Sequence, residues 1–242
     1  MTDTNVQQTA HTAVSPATSF RRSVWAIVWK DLQIEKHTRQ TTSIMIMFSL
    51  VTVIMFNFAL EANLAAARDV ATGLLWSTIL LAGTLGLNRS LAIERENRTM
   101  EALLMAPVER NAIYAGKVIS VTLFSLALEA VLVLIFIMFF NKPFWRPPVL
   151  LVLLLGTIGY VAAGVIVTSM TIQTRTREVL LPVLLLPLSL PLVLPAATAV
   201  SAYMFPILPE LAEVQGAIAI VLIYDLLMLA AGFLTYHFVV ES

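Results

Sequence analysis

Six long apolar stretches, separated by short polar segments, dominate the pattern along the chain. Each has the roughly 17–25 residues that a helix needs to cross a bilayer. Lipid offers no partners to backbone N–H and C=O groups, so such stretches must form helices or barrel strands. They are apolar on all sides, unlike barrel strands, which alternate polar and apolar residues. The predicted transmembrane helices are residues 44–60, 70–87, 118–140, 149–172, 179–200 and 216–240.

The composition agrees with a protein embedded in lipid. Of the 242 residues, 59% are hydrophobic and only 12% are charged, whereas about 25% are charged in an average soluble protein. The expected fold class is an all-α integral membrane protein, with residues 20–242 forming one membrane domain. Cysteine is absent, which excludes disulfides, thiolate metal sites and a cysteine nucleophile.

Two segments precede the first predicted span. Residues 1–19 are polar and contain no apolar signal-peptide core, so we expect a disordered cytoplasmic tail. Residues 20–37 predict an amphipathic helix in the membrane interface, where indole rings and basic side chains both fit; an extended cytoplasmic start to the first span is the alternative. The residues at helical spacing, the tryptophans and the basic side chains are Phe20, Arg21, Arg22, Val24, Trp25, Ile27, Val28, Trp29, Lys30, Leu32 and Lys36.

The basic residues are distributed unevenly between the two sides of the membrane. If the N-terminus is cytoplasmic, all but three of the 15 lysine and arginine residues lie in or beside cytoplasmic segments. The exceptions are Arg68, Lys142 and Arg146. Such a bias sets the orientation of membrane proteins. We therefore expect both termini on the cytoplasmic side of the membrane.

The second cytoplasmic connection carries the most informative polar pattern, ERENRTMEALLMAPVERNAIYAGK over residues 94–117. A threonine suited to cap a helix is followed by an acidic first turn, an apolar pair and a proline that ends the helix: Thr99, Glu101, Leu103, Leu104 and Pro107. Charged residues precede it: Glu94, Arg95, Glu96 and Arg98. This pattern favours a rigid helix that docks into a soluble partner and passes its movement to the adjoining spans. A loop helix resting on lipid headgroups is the alternative.

This connection resembles the coupling-helix pattern G-T-x-E-x-L-L-x-x-P…G-K of the type-2 ABC exporter permeases, with Arg98 in place of the usual glycine and with Gly116 and Lys117 at its end. Within that superfamily the chain is most similar to the CcmB family, the heme exporter protein B permeases of cytochrome c maturation. Its opening, WAIVWKDLQIEKHTRQ…MIMFSLVTVIMFNFAL, resembles the family's W-x-I-x-x-K-D-L…F-N-F-A. Its close, YDLLMLAAGFLTYHFVVES, is similar to F-D…F-E-Y-V-L-E.

The resemblance implies a set of partners and a substrate. The partners are a cytoplasmic ATPase dimer of the CcmA type and a heme-handling membrane subunit of the CcmC type; a second copy of the chain stays open, and no nucleic acid is implied. Heme enters as a substrate rather than as a bound cofactor. The chain contains no G-x-x-x-x-G-K-[ST] loop, so ATP must be hydrolysed on another subunit. No catalytic or metal-binding residue is expected in this chain.

Other functions fit parts of the pattern. A generic type-2 exporter of a lipid-like or drug-like substrate has the same coupling helix, and so does a non-transporting scaffold that releases heme from a partner. A membrane-embedded enzyme would use Glu129 and Asp225 as an acid–base pair in one cavity. Depth argues against it, because these two residues need not lie at the same level.

Several residues within the predicted spans are unusual in lipid. Glu129 and Asp225 are intramembrane carboxyls, which mark either a gate, proton site or substrate contact, or a protonated group that hydrogen-bonds a neighbouring helix. Four prolines predict a bend or an unwound stretch in the fifth span, or kinked packing with no role in transport. They are Pro182, Pro187, Pro191 and Pro195.

The three histidines, His11, His37 and His237, are weak candidates for heme ligands.

The absence of native cysteine makes the predicted orientation directly testable. A membrane-impermeant thiol reagent should label Thr99→Cys only from the cytoplasmic side and Trp145→Cys only from the outer side. The reverse pattern would place the predicted coupling segment outside the cell, where no ATP is available to a partner.

Overall fold

The computed structural model describes residues 19–60, 64–96, 108–171, 176–205 and 209–241. Within these ranges the chain forms helices and no strand. Six of the helices are long and apolar enough to cross a membrane, so the all-α, six-span fold predicted from the sequence is confirmed. The predicted tail, apart from Ser19, lies outside the described residues. In chain order the helices are α1 (Phe20–Thr38), α2 (Gln40–Leu60), α3 (Leu64–Glu96), α4 (Arg110–Phe140), α5 (Pro147–Thr171), α6 (Arg177–Ala202) and α7 (Leu211–Glu241).

Helices α3 and α4 extend well beyond the predicted spans. The second span was predicted to end at residue 87, whereas α3 continues to Glu96, and the third was predicted to begin at residue 118, whereas α4 starts at Arg110. Hydropathy detects only the apolar part of a helix, while arginine, glutamate and alanine continue it readily. Both extensions point toward the end of the bundle that holds α1, the α3–α4 connection and the α5–α6 connection. We call it the α1 end.

Helices α3 and α5 lie at the centre of the bundle. In each, 67% of the spanning window is buried, against 17% in α2 and 22% in α7. Their close approach depends on glycine. The Trp76 indole of α3 occupies the space where a side chain at Gly156 would begin, and a Cβ at Gly83 would come within 2.7 Å of the Tyr160 ring. Gly83 and Gly156 therefore serve the packing of α3 against α5.

Helix α6 is continuous through its four prolines. It runs without interruption from Arg177 to Ala202, so the unwound stretch considered from the sequence is not formed. Each proline removes one backbone donor, and α7 supplies a donor in the same region. The Tyr224 hydroxyl donates a hydrogen bond to the Leu188 carbonyl oxygen at 2.9 Å. This hydrogen bond joins α7 to the proline-rich segment of α6.

Helix α1 is a separate element rather than an extended start of the first span. Arg39 follows it in the left-handed conformation, with a φ of 52°, which ends α1 before α2 begins. Ile27 is buried against the protein, whereas Trp25 and Trp29 are 64% and 55% exposed. The predicted amphipathic helix is therefore confirmed. Its location in the membrane interface stays a prediction, which the two exposed indoles support.

The carboxylate of Glu35 fixes the corner between α1 and α2. It accepts hydrogen bonds from the backbone N–H groups of Thr42 at 2.7 Å and of Thr41 at 3.3 Å. These groups belong to the first turn of α2, where backbone donors have no partner within the helix. The negative charge also meets the positive end of the α2 dipole. Glu35 therefore caps α2 from within α1.

We expect Glu35→Ala to lower the stability of the detergent-solubilised protein by about 1 kcal/mol, the usual contribution of a helix cap. Gln33→Ala, at an exposed position of the same helix, is the matched control and should leave stability unchanged. Unfolding in a denaturing-detergent titration measures both. Equal unfolding curves for the two variants would show that the carboxylate contributes nothing to the corner.

Candidate functional site

The structure describes the boundaries of the predicted coupling segment but not its centre. Glu94, Arg95 and Glu96 form the last turn of α3, and their side chains are outside the described set. The chain is described again from Val108, and α4 begins at Arg110. The coupling helix itself therefore stays a prediction. The residues concerned, all outside the described ranges, are Arg98, Thr99, Glu101, Leu103, Leu104 and Pro107.

Immediately after this segment, α4 packs closely against α1. Gly116 is the point of contact: a Cβ there would lie 2.8 Å from Cγ2 of Ile27 and 3.4 Å from the carbonyl oxygen of Val24. Any larger residue would push the helices apart. Gly116 and Lys117 were assigned from the sequence to the end of the coupling pattern, and the structure places both against α1.

A buried ion pair holds this contact. The ammonium group of Lys117 on α4 lies 2.8 Å from one carboxylate oxygen of Asp31 on α1. Lys30, the neighbour of Asp31 in sequence, places its ammonium group 3.0 Å from the other oxygen. The side chains of Asp31 and Lys117 are each only 8% exposed. One carboxylate therefore lies between two ammonium groups at the α1–α4 interface.

Electrostatics keep this pair charged. Burial alone would raise the pKa of Asp31, but the ammonium groups of Lys117 and Lys30 outweigh it and hold that pKa below its usual value. The carboxyl group is therefore ionised at neutral pH, and its contribution to stability is lost only as the pH falls through the lowered pKa. Removing one partner of a buried pair typically costs about 3–5 kcal/mol, because the other charge remains buried without compensation.

A small pocket beside the ion pair joins four helices. Its volume is about 20 Å³, which is room for about one water molecule. Both carboxylates of α1 contribute to its lining, together with two hydroxyl groups from α2 and α3. The lining residues are Asp31, Ile34, Glu35, Thr41, Ser90, Ile93 and Phe124. The α1 end is therefore the place where α1, α2, α3 and α4 meet.

Sequence reasoning did not identify this junction. Lys30 was assigned to the polar side of an interfacial helix, and Asp31 and Glu35 were given no role. One signal was present: Ile27, Asp31 and Glu35 recur every four residues and so share one face of α1. Two carboxylates in line with a buried isoleucine indicate a face that meets protein rather than lipid.

The intramembrane carboxyl Glu129 has a partner on the neighbouring helix. It is buried on α4, and the hydroxyl of Thr157 on α5 donates a hydrogen bond to it. This contact corresponds to the packing interpretation, in which a carboxyl group hydrogen-bonds an adjacent helix. Removing Glu129 would also leave the Thr157 hydroxyl buried without this acceptor.

Asp225 is buried on α7 without a hydrogen-bond partner among the described residues. Its carboxyl group occupies the space where a side chain at Gly159 of α5 would begin. Gly159 is two residues from Thr157, about 3 Å along α5 and roughly 200° around it. Glu129 and Asp225 therefore lie at similar depth, contrary to the expectation from sequence. They contact opposite faces of α5, which argues against one cavity for an acid–base pair.

The one histidine whose side chain is described, His37, is not placed to bind heme or metal. His37 is exposed, and its ring Nδ1 is 2.9 Å from the carbonyl oxygen of Gln33 on the same helix. His11 and the side chain of His237 lie outside the described set. Among the residues that the structure describes, no group of three or more histidine or acidic side chains could hold a metal ion.

The six spanning helices, with a seventh held to them by a buried ion pair, define a polytopic α-helical integral membrane protein. A family model described as CcmB protein matches residues 22–234, which run from α1 into α7. The chain belongs to the CcmB family. The family resemblance drawn from the sequence is confirmed.

Individual relatives give the same result. Heme exporter protein B of Rhodobacter capsulatus is 28% identical over 172 residues, which are 69% of this chain and 77% of the relative. The protein of the same name from Paracoccus denitrificans is 28% identical over 179 residues, or 72% and 81% of the two chains. That of Pseudomonas aeruginosa is 27% identical over 158 residues, or 65% and 71%.

The contact between α5 and α7 gives a test of the packing around Asp225. Gly159→Ala should destabilise the protein by about 1–3 kcal/mol, since its methyl group would overlap the carboxyl group and overpacking costs that much. In an Asp225→Ala background the same change should cost less. Gly73→Ala, where nothing lies within 4 Å of the new Cβ, is the control. Equal costs of Gly159→Ala in both backgrounds would contradict the contact.

Proposed function

We propose that this chain is the membrane permease subunit of an ABC-type exporter that handles heme during c-type cytochrome maturation. The match to the CcmB family over residues 22–234 carries the proposal. All three curated relatives are named heme exporter protein B, and the matched region covers at least 71% of each. The relatives are bacterial proteins, which favours a bacterial inner membrane, and the distribution of basic residues favours both termini in the cytoplasm.

The energy for this function comes from a separate subunit. The sequence contains no phosphate-binding G-x-x-x-x-G-K-[ST] loop, so this chain must convert the movement of another subunit into movement of its own helices. A cytoplasmic ATPase dimer of the CcmA type is the partner with the required chemistry. The charged segment from Glu94 to Pro107 is the proposed docking element.

The dimensions of α3 and α4 suit such a conversion. They contain 33 and 31 residues, which correspond to about 50 Å and 46 Å of helix. The hydrocarbon core of a bilayer is only about 30 Å thick. Both helices therefore extend beyond it, and the docking segment connects their protruding ends. A displacement of this segment would tilt or shift two rigid helices that continue through the bundle.

The periphery of the bundle leaves room for membrane partners. Helices α2 and α7 have only 17% and 22% of their spanning windows buried, so most of their surface faces lipid or another subunit. A heme-handling membrane subunit of the CcmC type and a second copy of this chain are the proposed neighbours. Because no described histidine is placed as a heme ligand, the proposal assigns stable heme ligation to the partner.

Purification of the complex from a mild detergent tests the assembly. An ATPase and a heme-containing membrane subunit should co-purify with the tagged chain. An ATPase alone would favour an exporter of another lipid-like or drug-like substrate. ATP-driven release of heme from the partner without passage across the membrane would favour the scaffold role. Recovery of neither subunit would contradict the proposal.

Charge reversal at Glu94 and Glu96 tests the docking segment. We expect the double variant Glu94→Arg/Glu96→Arg to reduce ATPase-coupled holocytochrome formation about tenfold or more, because like charges facing each other at an interface cost several kcal/mol. The matched control is Glu210→Arg/Glu213→Arg, two exposed positions at the opposite end of the bundle. Normal coupling in the first variant, with both proteins stably inserted, would remove the docking role.

A further inference from the structure

Two carboxylates, which lie on successive turns of the same face of α1, each bind a different neighbouring helix. Asp31 binds Lys117 on α4 at 2.8 Å, and Glu35 binds the N–H of Thr42 on α2 at 2.7 Å. Their spacing of four residues places them next to each other on one side of α1. The exposed Trp29 lies on the other side. Helix α1 therefore bridges α2 and α4 with its polar face.

Together with neighbouring contacts, this bridge closes a ring of helices. Helix α2 packs on α3, where Met45 covers Gly86, and α3 is joined to α4 by the 97–109 connection. Helix α4 returns to α1 through Lys117. The bases of α3 and α4 are thus linked through the chain and through α2 and α1, in addition to the direct packing of α3 on α4.

The ion pair completes the ring of helices at a point near the 97–109 connection. Lys117 lies seven residues after Arg110, where α4 begins, and Ile93, which lines the pocket beside Asp31, lies three residues before the end of α3. Only about two turns of α4 and one turn of α3 therefore separate the connection from the junction, so a displacement of the connection would reach it directly.

We propose that the Asp31–Lys117 pair is a positioning clamp that makes α1 and the base of α4 move as one body. A buried ion pair suits this role because sliding of either helix would lengthen the 2.8 Å contact and separate two charges that have little access to water. An apolar contact at the same place would permit sliding. The use of this clamp in energy coupling rests on the proposed function; its mechanical effect on α1 does not.

The mechanical effect can be measured on the chain without any partner. Nitroxide labels at Gln33→Cys on α1 and Ile119→Cys on α4, both exposed positions in a protein without native cysteine, report the distance between the two helices by double electron–electron resonance. The neutral pair Asp31→Asn/Lys117→Met removes the attraction between α1 and α4. The remaining charge, on Lys30, belongs to a side chain that is 26% exposed and can turn toward solvent. The neutral pair should roughly double the width of the distance distribution, since a helix held by fewer fixed contacts samples more positions.

Three further variants make this result specific. The reversed pair Asp31→Lys/Lys117→Asp retains an attraction across the interface and should narrow the distribution again. Lys36→Met and Glu109→Gln make the same chemical changes at exposed positions and should leave the wild-type width. A wild-type width in the neutral pair would overturn the clamp, and so would an equal broadening in the exposed controls.

The coupling effect is measured in the assembled complex. With the wild-type amount of complex present, the neutral pair should lower holocytochrome formed per ATP hydrolysed about tenfold, within the usual range of coupling between sites, and the reversed pair should restore part of it. If the neutral pair broadened the distance distribution but left the holocytochrome formed per ATP unchanged, the ion pair would have only a structural role and its role in coupling would be overturned. Failure of wild-type chain to recruit any ATPase would overturn the proposed function, while the distance measurement would still decide the clamp.

Discussion

Inside a bilayer, every backbone N–H and C=O group needs a partner within the protein, because lipid supplies none. The apolar stretches satisfy this constraint as continuous helices, and even the proline-rich α6 runs without interruption from Arg177 to Ala202. A bundle built in this way has little freedom to place polar chemistry along its lipid-facing surfaces. Charged contacts are therefore concentrated at the helix ends, and the α1 end is where four helices converge on two carboxylates.

This arrangement separates the two tasks of a transporter subunit. The middle of the bundle is packed closely, with aromatic rings of α3 and α5 lying on glycines of the facing helix. The α1 end instead relies on directional contacts: an ion pair to α4 and a carboxylate cap on α2. Close packing passes a displacement from any helix to all of its neighbours. A directional contact such as an ion pair instead determines which two helices move together. The combination suits the proposed function, in which a partner subunit applies force at one end of the bundle.

The sequence was sufficient for the architecture and insufficient for the junction. Long apolar runs identify spans because their length and lipid exposure leave few alternatives, and the family resemblance was carried by residues close to both ends of the chain. Hydropathy could not show how far α3 and α4 continue, since helix formation does not stop where apolarity does. It could not pair Asp31 with Lys117, which are 86 residues apart and were assigned to separate motifs. Nor could it show that Glu129 and Asp225 lie on opposite faces of α5, because that depends on which residues of α5 they contact.

The separation of Asp31 and Lys117 along the chain has a consequence for biogenesis. At about 5–20 residues per second, the ribosome adds the 86 residues that follow Asp31 in roughly 4 to 17 s. During that interval Asp31 has been synthesised but Lys117, on the third span, has not. The ion pair between α1 and α4 therefore forms only after the third span has been made. The order of synthesis thus sets the earliest point for the docking of α1 on α4 at about the middle of translation.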